Sequence, residues 1–571
     1  MQDFLTQSEE NNTLIIKKSI NVFSLEKDNI LMLLATSSDT NIIEKFFLSY
    51  QTKGINFLKN TEETFSLFIH DKNKKTIFVA KDKVGVLPLY YSYKKNNIIA
   101  STSIKNFREI SSFNAKINTS AIADYLQYGM ILQPKTIFEN CYKVEAGSYV
   151  EFNLKNQKQI SRKYWTLENC YLEPKSLFNE EEILNKAHTL LQSSLHHTIQ
   201  NNANVAFSLS GGYDSSTLVA MAQQSSDKKV NTFSIGFNDS SINEAPHAKK
   251  IARHLGTNHE EYYFTAKDAI EIIPKISQIY DEPFADHAAA PTILTAQLLK
   301  KNNIGTLIAG DGGDEVFATA DDLKAFKRFE NTPKIFKQII ASSLFAIPSS
   351  KKFQNKKDKL SAMLQANSIS EIIKVRKSLF SEKELRTHIK KMEPKILNSF
   401  DTINFPKDAE TLDQIIGTYF KTTMTDGELV KSHQSMRHEN INLAVPFLDT
   451  KLIEYLAKVP SSVKVKNDIK KYLLKEIAHQ YLPKVLLDRP KSGFDIPFSS
   501  WMKNELKEIL YVQINEKRLD KDNIFYTSSI IHIRDQFYLG NDAYKYKLWR
   551  IFIFQLWYEN FQQQTKITKE L

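Results

Sequence analysis

The segment Phe207-Ser208-Leu209-Ser210-Gly211-Gly212-Tyr213-Asp214-Ser215-Ser216 constrains this chain more than any other. It reads as the end of a strand Val205–Leu209, a tight turn, and a helix from about Ser215 to Gln224. Gly211 and Gly212 let the backbone turn sharply and approach a ligand without a Cβ in the way. Ser210, Ser215 and Ser216, with free amides at a helix start, form an anion cradle that the helix dipole reinforces. Asp214 sets a carboxylate beside it, suited to hold Mg2+ on a phosphate. No Gly-Lys-Ser/Thr follows at the right offset, so this is not a Walker A loop. The plain alternative is a Ser/Gly turn in an unrelated α/β domain, which strand–loop–helix context disfavours.

A second segment repeats the pattern. Leu307-Ile308-Ala309 is a strand end, and Gly310-Asp311-Gly312-Gly313-Asp314-Glu315 is a glycine-rich loop with three carboxylates. In a parallel sheet, ligands sit beyond the carboxyl ends of the strands. Both loops are therefore expected on one crevice, with Asp214 and Asp314 sharing Mg2+. Carboxylates so close repel one another and titrate high unless a cation neutralises them. A surface calcium loop is the lesser reading.

The 571 residues allow about two to four domains. Residues 1 to about 155 read as strand-rich, with Ile30–Ala35, Phe65–His70 and Thr76–Ala80 as strands and the polar Asp71–Lys75 as a hairpin turn. Glu151 to about Phe178 reads as a connector. From Glu180 onward, Ile183, Ala187, Leu190, Leu191 and Leu195 recur at helical spacing. Strand and helix then alternate: Asn231–Gly236 as a strand, Glu244–Leu255 as a helix, Thr306–Ala309 as a strand. That order predicts a parallel sheet covered by helices. Residues from about 319 to 410 read as helical and basic, and Lys351–Lys359 holds five lysines.

The net charge of +11 suits nucleotide phosphates or acidic substrates. No window resembles a nucleic-acid-binding arm, so a solvated lysine-rich surface is the stronger reading. Cys141 and Cys170 are the only cysteines, too few for a disulfide framework and consistent with a reducing cytoplasm. The start of the chain lacks the pattern of a signal peptide. The longest apolar candidate, Ile339–Pro348, falls well short of the roughly 20 residues that span a bilayer. Neither nucleic acid nor membrane is expected as a partner.

The Ser210–Ser216 loop matches the Ser-Gly-Gly-x-Asp-Ser loop of ATP pyrophosphatases. With Gly310–Glu315 the pair resembles the synthetase domain of asparagine synthetases. Thr232–Phe237 resembles that family's adenine strand, and Tyr280–Asp286 with Pro291-Thr292 its substrate-side segment. Val445-Pro446-Phe447-Leu448-Asp449 resembles its Pro-Phe-Leu-Asp motif, Arg489–Phe494 its late lysine loop, and Tyr544–Trp557 its C-terminal aromatic helix. Phe65–Tyr91 resembles the family's glutaminase domain, but that domain needs a Cys directly after the initiator Met, and Gln2 stands there.

The resemblance implies an α/β chain of two parts: a degenerate glutaminase-like, N-terminal-nucleophile-type β sandwich over 1–155, and an ATP-pyrophosphatase domain with added helices over 180–560. It implies ATP and Mg2+ as cofactors and ATP-dependent amide formation through an acyl-adenylate. Adenine would lie on Ile235 and phosphates on Ser210, Gly211, Gly212, Asp214, Ser215, Ser216 and Gly310. Mg2+ would be held by Asp214 and Asp314, with Asp311 accepting the proton of the amine and Lys491 stabilising negative charge. The carboxylate substrate is a small molecule or a peptide. With no thiolate to attack glutamine, the nitrogen comes from ammonia or from an amine of the substrate, as in lasso-peptide macrocyclases and β-lactam synthetases. The family's Glu-x-Arg before Pro-Phe-Leu-Asp is here Asn442 and Ala444, which marks an altered pocket. An inactive scaffold and a tRNA sulfur transferase are weaker readings, and a homodimer is left open.

Overall fold

The computed structural model describes residues 4–9, 12–18, 22–36, 41–94, 97–175, 179–237, 243–319, 323–346, 351–394, 396–406, 408–488 and 496–570. The N-terminal strands are β1 (Phe4–Glu9), β2 (Asn12–Lys18), β3 (Val22–Lys27), β4 (Ile30–Thr36), β5 (Phe65–Asp71), β6 (Thr76–Lys81), β7 (Tyr90–Lys94), β8 (Asn97–Ser101), β9 (Cys141–Lys143), β10 (Ser148–Asn153) and β11 (Lys158–Lys163). They form two antiparallel sheets, ordered β2-β1-β8-β7-β9 and β11-β10-β6-β5-β4-β3.

Strands β4 and β5 are buried at every position. Their side chains alternate between two faces. Met32, Leu34, Leu67 and Ile69 pack with Phe46, Phe47 and Tyr50 of the helix Ile42–Lys53. Leu33, Ala35 and Phe68 pack instead with Tyr91 and Ile98 of the other sheet and with Leu89 just before β7. A continuous apolar run is what a strand covered on both faces requires. The connector read at 151–178 is more ordered than its composition suggests. Its first residues finish β10, β11 is an exposed edge strand, and a short helix spans Leu167–Leu172.

The second sheet system contains β12 (Val205–Ser208), β13 (Asn231–Phe237), β14 (Asn258–Phe264), β15 (Thr306–Ile308) and β16 (Asn442–Ala444). Its order is β14-β13-β12-β15-β16, and every pairing is parallel. The expected alternation therefore holds, with the helices Tyr213–Gln224, Ala245–Leu255 and Ala289–Lys301 in the connections. The central strand β12 and its neighbour β15 carry the two glycine-rich loops at their carboxyl ends. Two edge strands were not evident from the sequence. β14 is Asn-His-Glu-Glu-Tyr-Tyr-Phe, half-exposed and charged. β16 has three residues and arrives from a distant part of the chain.

A long helical path crosses the site. The helix Thr411–Tyr419 runs into a π-helical stretch, Phe420–Glu428, and on into the helix Leu429–His438. Such wide turns recur where side chains are re-aimed at functional sites. The C-terminal helix Lys545–Glu570 binds the two parts of the chain together. Trp549 and Trp557 are fully buried on it; Trp549 Nε1 donates to Ala285 O, and Tyr125 of the N-terminal part donates to Arg550 O. Among the described residues, no helix is long and apolar enough to cross a membrane.

Candidate active site

The loop after β12 is built on its own hydroxyls. Ser215 Oγ accepts from Ser210 N at 3.1 Å and lies 3.0 Å from Ser210 Oγ, which accepts from Gly212 N at 3.3 Å. Gly211 takes φ +79°, and a Cβ there would stand 3.0 Å from Ala248 N. Its glycine is thus required both by the turn and by the helix packed behind it. Ser216 is fully buried, and its Oγ has no hydrogen-bond partner among the described residues. The helix Tyr213–Gln224 starts from Gly212, so its first amides border this loop.

The loop after β15 packs directly on Asp214. A Cβ at Gly310 would lie 3.2 Å from Asp214 Cβ, and one at Gly313 only 2.6 Å from Asp214 Oδ1. Gly312 takes φ +86° under the Leu448 side chain. Two expected loops thus meet through glycines, on adjacent strands, as the crevice reading requires.

Lys471 joins the two acids. Its Nζ is 2.5 Å from Asp214 Oδ1 and 2.7 Å from Asp314 Oδ1. It stands at φ 53° before the helix Tyr472–His479 and is nearly buried. Burial alone would lower its pKa, but the two carboxylates outweigh that and hold the ammonium above its usual range. Sequence reading passed over Lys471, which lies in the lysine-rich run Lys466–Lys475 where no single lysine stands out. Lys491, which that reading chose instead, lies outside the described residues.

Asp311 follows Gly310 and faces the helix Leu429–His438. Ser432 Oγ donates to its Oδ1 at 3.1 Å. Burial, helped by the nearby Glu428 carboxylate, pushes its pKa up to about 6, against the pull of Lys431. Lys431 itself pairs with Glu428 and, at 3.2 Å, with Asp286 of the expected substrate-side segment. Glu315 is pushed up to about 8 by burial and by the Asp314 charge. Two carboxylates plus phosphate oxygens make an ordinary Mg2+ environment. Asp214 and Asp314, already gathered on one cation, fit that donor set.

The segment Tyr280–Asp286 is held from both sides. Asp281 is fully buried; its Oδ1 takes hydrogen bonds from Ser103 Oγ at 2.9 Å and Arg437 at 3.2 Å. Glu282 accepts from Ile137 N at 2.6 Å and pairs with Lys143 at 3.0 Å. Ser103, Ile137 and Lys143 all belong to the N-terminal part. Ile235 is buried on β13, beside the strand that ends in the Ser210 loop. Asn442 and Ala444 run alongside β15: Ala444 pairs with Ile308, and its carbonyl accepts from Ala309 N at 3.0 Å, one residue before Gly310. They sit on edge strand β16 and border a cavity of about 150 Å3 with Asp82, Lys83, His433 and Arg437. Asp214, Asp311 and Asp314 are not among its lining residues.

Both cysteines are buried and unpaired by disulfides. Burial raises the Cys141 thiol far above its ordinary value and pushes Cys170 up to about 12. Neither is a thiolate at neutral pH.

The asparagine synthase family model matches residues 186–559, and a glutamine amidotransferase domain model matches residues 13–165. Among similar proteins, the glutamine-hydrolyzing asparagine synthetase 1 of Bacillus subtilis is 24% identical over 529 residues, covering 92% of this chain and 81% of the relative. Glutamine-hydrolyzing asparagine synthetase 3 of the same organism is 21% identical, covering 85% of this chain and 77% of the relative. Amidase chry2 of Gibberella zeae is 22% identical, covering 81% and 74% respectively.

Proposed function

Because the chain belongs to the asparagine synthase family and is an ATP-dependent carbon–nitrogen ligase, we propose that it adenylates a carboxylate and passes the acyl group to ammonia without a glutaminase of its own. The observation that carries this reading is the contact between two strand-end glycine loops, with Asp214 and Asp314 joined at Lys471. In this reading the Ser210–Ser216 loop and the amides at the helix start receive the phosphates, and Ile235 borders the adenine. Mg2+, when bound at Asp214 and Asp314, supplies charge neutralisation for the leaving pyrophosphate. Lys471 remains as a fixed positive charge beside the phosphates, where charge grows as the α–β bond breaks. Asp311 accepts the proton that the attacking amine sheds, a role that its raised pKa suits.

The proposed lack of glutaminase activity rests on chemistry. Position 2 is Gln, and both cysteines are buried thiols. With both thiols buried, neither cysteine is placed as a nucleophile for a glutamine amide. A cytoplasmic setting, where ammonium and ATP are present, fits this reading. A second reading, an internal amine on a peptide or biosynthetic carboxylate, is favoured by Asn442 and Ala444 where the family carries an acid and a base.

The test is pyrophosphate release with Mg·ATP and aspartate, with ammonium or glutamine as the nitrogen source. Asparagine formed with ammonium and not with glutamine supports the first reading. Equal use of glutamine would refute the inactive glutaminase. No release with either moves the substrate to a larger carboxylate bearing its own amine.

A further inference from the structure

Tyr213 fills the open position of the Ser-Gly-Gly-x-Asp-Ser pattern, directly before Asp214. Its hydroxyl donates to Asp488 Oδ1 at 2.6 Å and lies 3.1 Å from His479 Nε2. A phenol has one proton and a carboxylate only accepts, so His479 Nε2–H donates to the Tyr213 oxygen. The two rings meet edge to face, with centroids 5.7 Å apart. Lys475 Nζ stands 4.8 Å from the centre of the Tyr213 ring, within cation–π range.

Lys471, Lys475 and His479 follow one another at helical i, i+4 spacing, so they form one stripe along the helix Tyr472–His479 and the residue before it. The stripe meets the start of the helix Tyr213–Gln224. Its first residue reaches Asp214 and Asp314, and its other two reach Tyr213. Two consecutive residues of the glycine-rich loop thus hold both ends of one helix. Lys471 itself stands at φ 53°, outside helical geometry, so its aim is set by where the helix behind it is held. His479 is the last residue of that helix, and Asp488 caps the next one, Lys484–Leu487. One hydroxyl fixes both.

We propose that Tyr213 is a positioning residue: its hydroxyl locks the helix Tyr472–His479 in the place from which Lys471 spans Asp214 and Asp314. The proposal rests on the reading of Lys471 as the charge beside the leaving pyrophosphate. A hydroxyl that merely tied two helices together would leave the ligand site untouched.

The test is a double-mutant cycle on the full chain, read by calorimetric binding of pyrophosphate at saturating Mg2+, with thermal melting alongside. Tyr213→Phe keeps the ring beneath Lys475 and removes both hydrogen bonds. It is expected to weaken pyrophosphate binding about threefold to tenfold, and His479→Ala to do the same, while both retain a cooperative melting transition. Lys471→Met should weaken binding by at least about tenfold. In the Lys471→Met background, Tyr213→Phe should have no further effect, because the residue it positions is gone. Wild-type affinity in Tyr213→Phe overturns the proposal, as does full additivity with Lys471→Met. Weakening by Tyr213→Phe without weakening by His479→Ala overturns it too, since the hydroxyl would then act through Asp488 alone. Wild-type affinity in Lys471→Met, or no binding by the wild type, would instead remove the reading of Lys471, and the proposal with it.

Discussion

Lys471 reaches Asp214 Oδ1 at 2.5 Å, and the same ammonium reaches Asp314 at 2.7 Å, so one cation ties the two glycine-rich loops together. Lys471→Met is expected to lower pyrophosphate release by ~10²-fold or more if the charge acts on the leaving group. It also leaves Asp214 and Asp314 facing each other without compensation. Its melting temperature should then depend on Mg2+ more steeply than that of the wild type, since the divalent ion would replace the lost charge. Calorimetry with and without Mg2+ reads this directly. Unchanged release in the variant would remove Lys471 from the reaction.

Gly313→Ala tests the contact between the loops by sterics alone. The new methyl would stand 2.6 Å from Asp214 Oδ1, closer than carbon and oxygen tolerate. The carboxylate must move, at a cost of about 1–3 kcal/mol. Activity should fall at least ~10-fold as Asp214 leaves the position shared with Lys471. Gly310→Ala, with its nearest contact at 3.2 Å, should be the milder of the two. The reverse ranking in pyrophosphate release would contradict the loop geometry.

The pH profile should separate the two half-reactions. Asp311 acts as a base only when ionised, and its pKa is pushed up to about 6. Amide formation is therefore expected to fall as pH drops through about 6, while ATP–pyrophosphate exchange, which does not need this base, persists. Asp311→Asn should keep exchange and lose amide product. For stability the sign is opposite. A carboxyl whose folded pKa lies above its unfolded value favours folding when protonated, and that contribution is lost as pH rises through about 6. Asp311→Asn should thus match or exceed the wild-type melting temperature at pH above about 7. An amide-forming rate that stays flat below pH 6 would exclude Asp311 as the base.

Much of this was legible in the sequence because it is local. Ser210–Ser216 and Gly310–Glu315 each hold strand, turn and acids within a few residues, and the adjacency of β12 and β15 follows from parallel topology. Lys471 was not legible. Its role depends on a backbone at φ 53° that aims one lysine of several between two acids distant in sequence. β16 was missed because three residues carry no periodicity, and β14 because its charges read as loop. The six-stranded sheet likewise extends to β11, whose residues are all exposed and give no apolar signal.

The N-terminal part supplies side chains that hold the synthetase segment. Lys143 lies 3.0 Å from Glu282 and 3.6 Å from Asp426, in a buried cluster. Lys143→Met would strand two buried acids, and removing one partner of such a cluster costs about 3–5 kcal/mol. Its melting temperature should drop sharply. Ser103→Ala is the gentler probe: it removes one hydrogen bond from Asp281, where Arg437 remains, at about 1 kcal/mol. If Asp281 orients the substrate-side segment, this variant should keep its fold and its kcat, while KM for the carboxylate rises about threefold to tenfold. Unchanged KM together with a lowered melting temperature would make the contact purely structural. Deletion of residues 1–165 removes both partners at once and uncovers the buried face of the C-terminal helix. The shortened chain should fail to form pyrophosphate, because the segment Tyr280–Asp286 loses its partners on the N-terminal side.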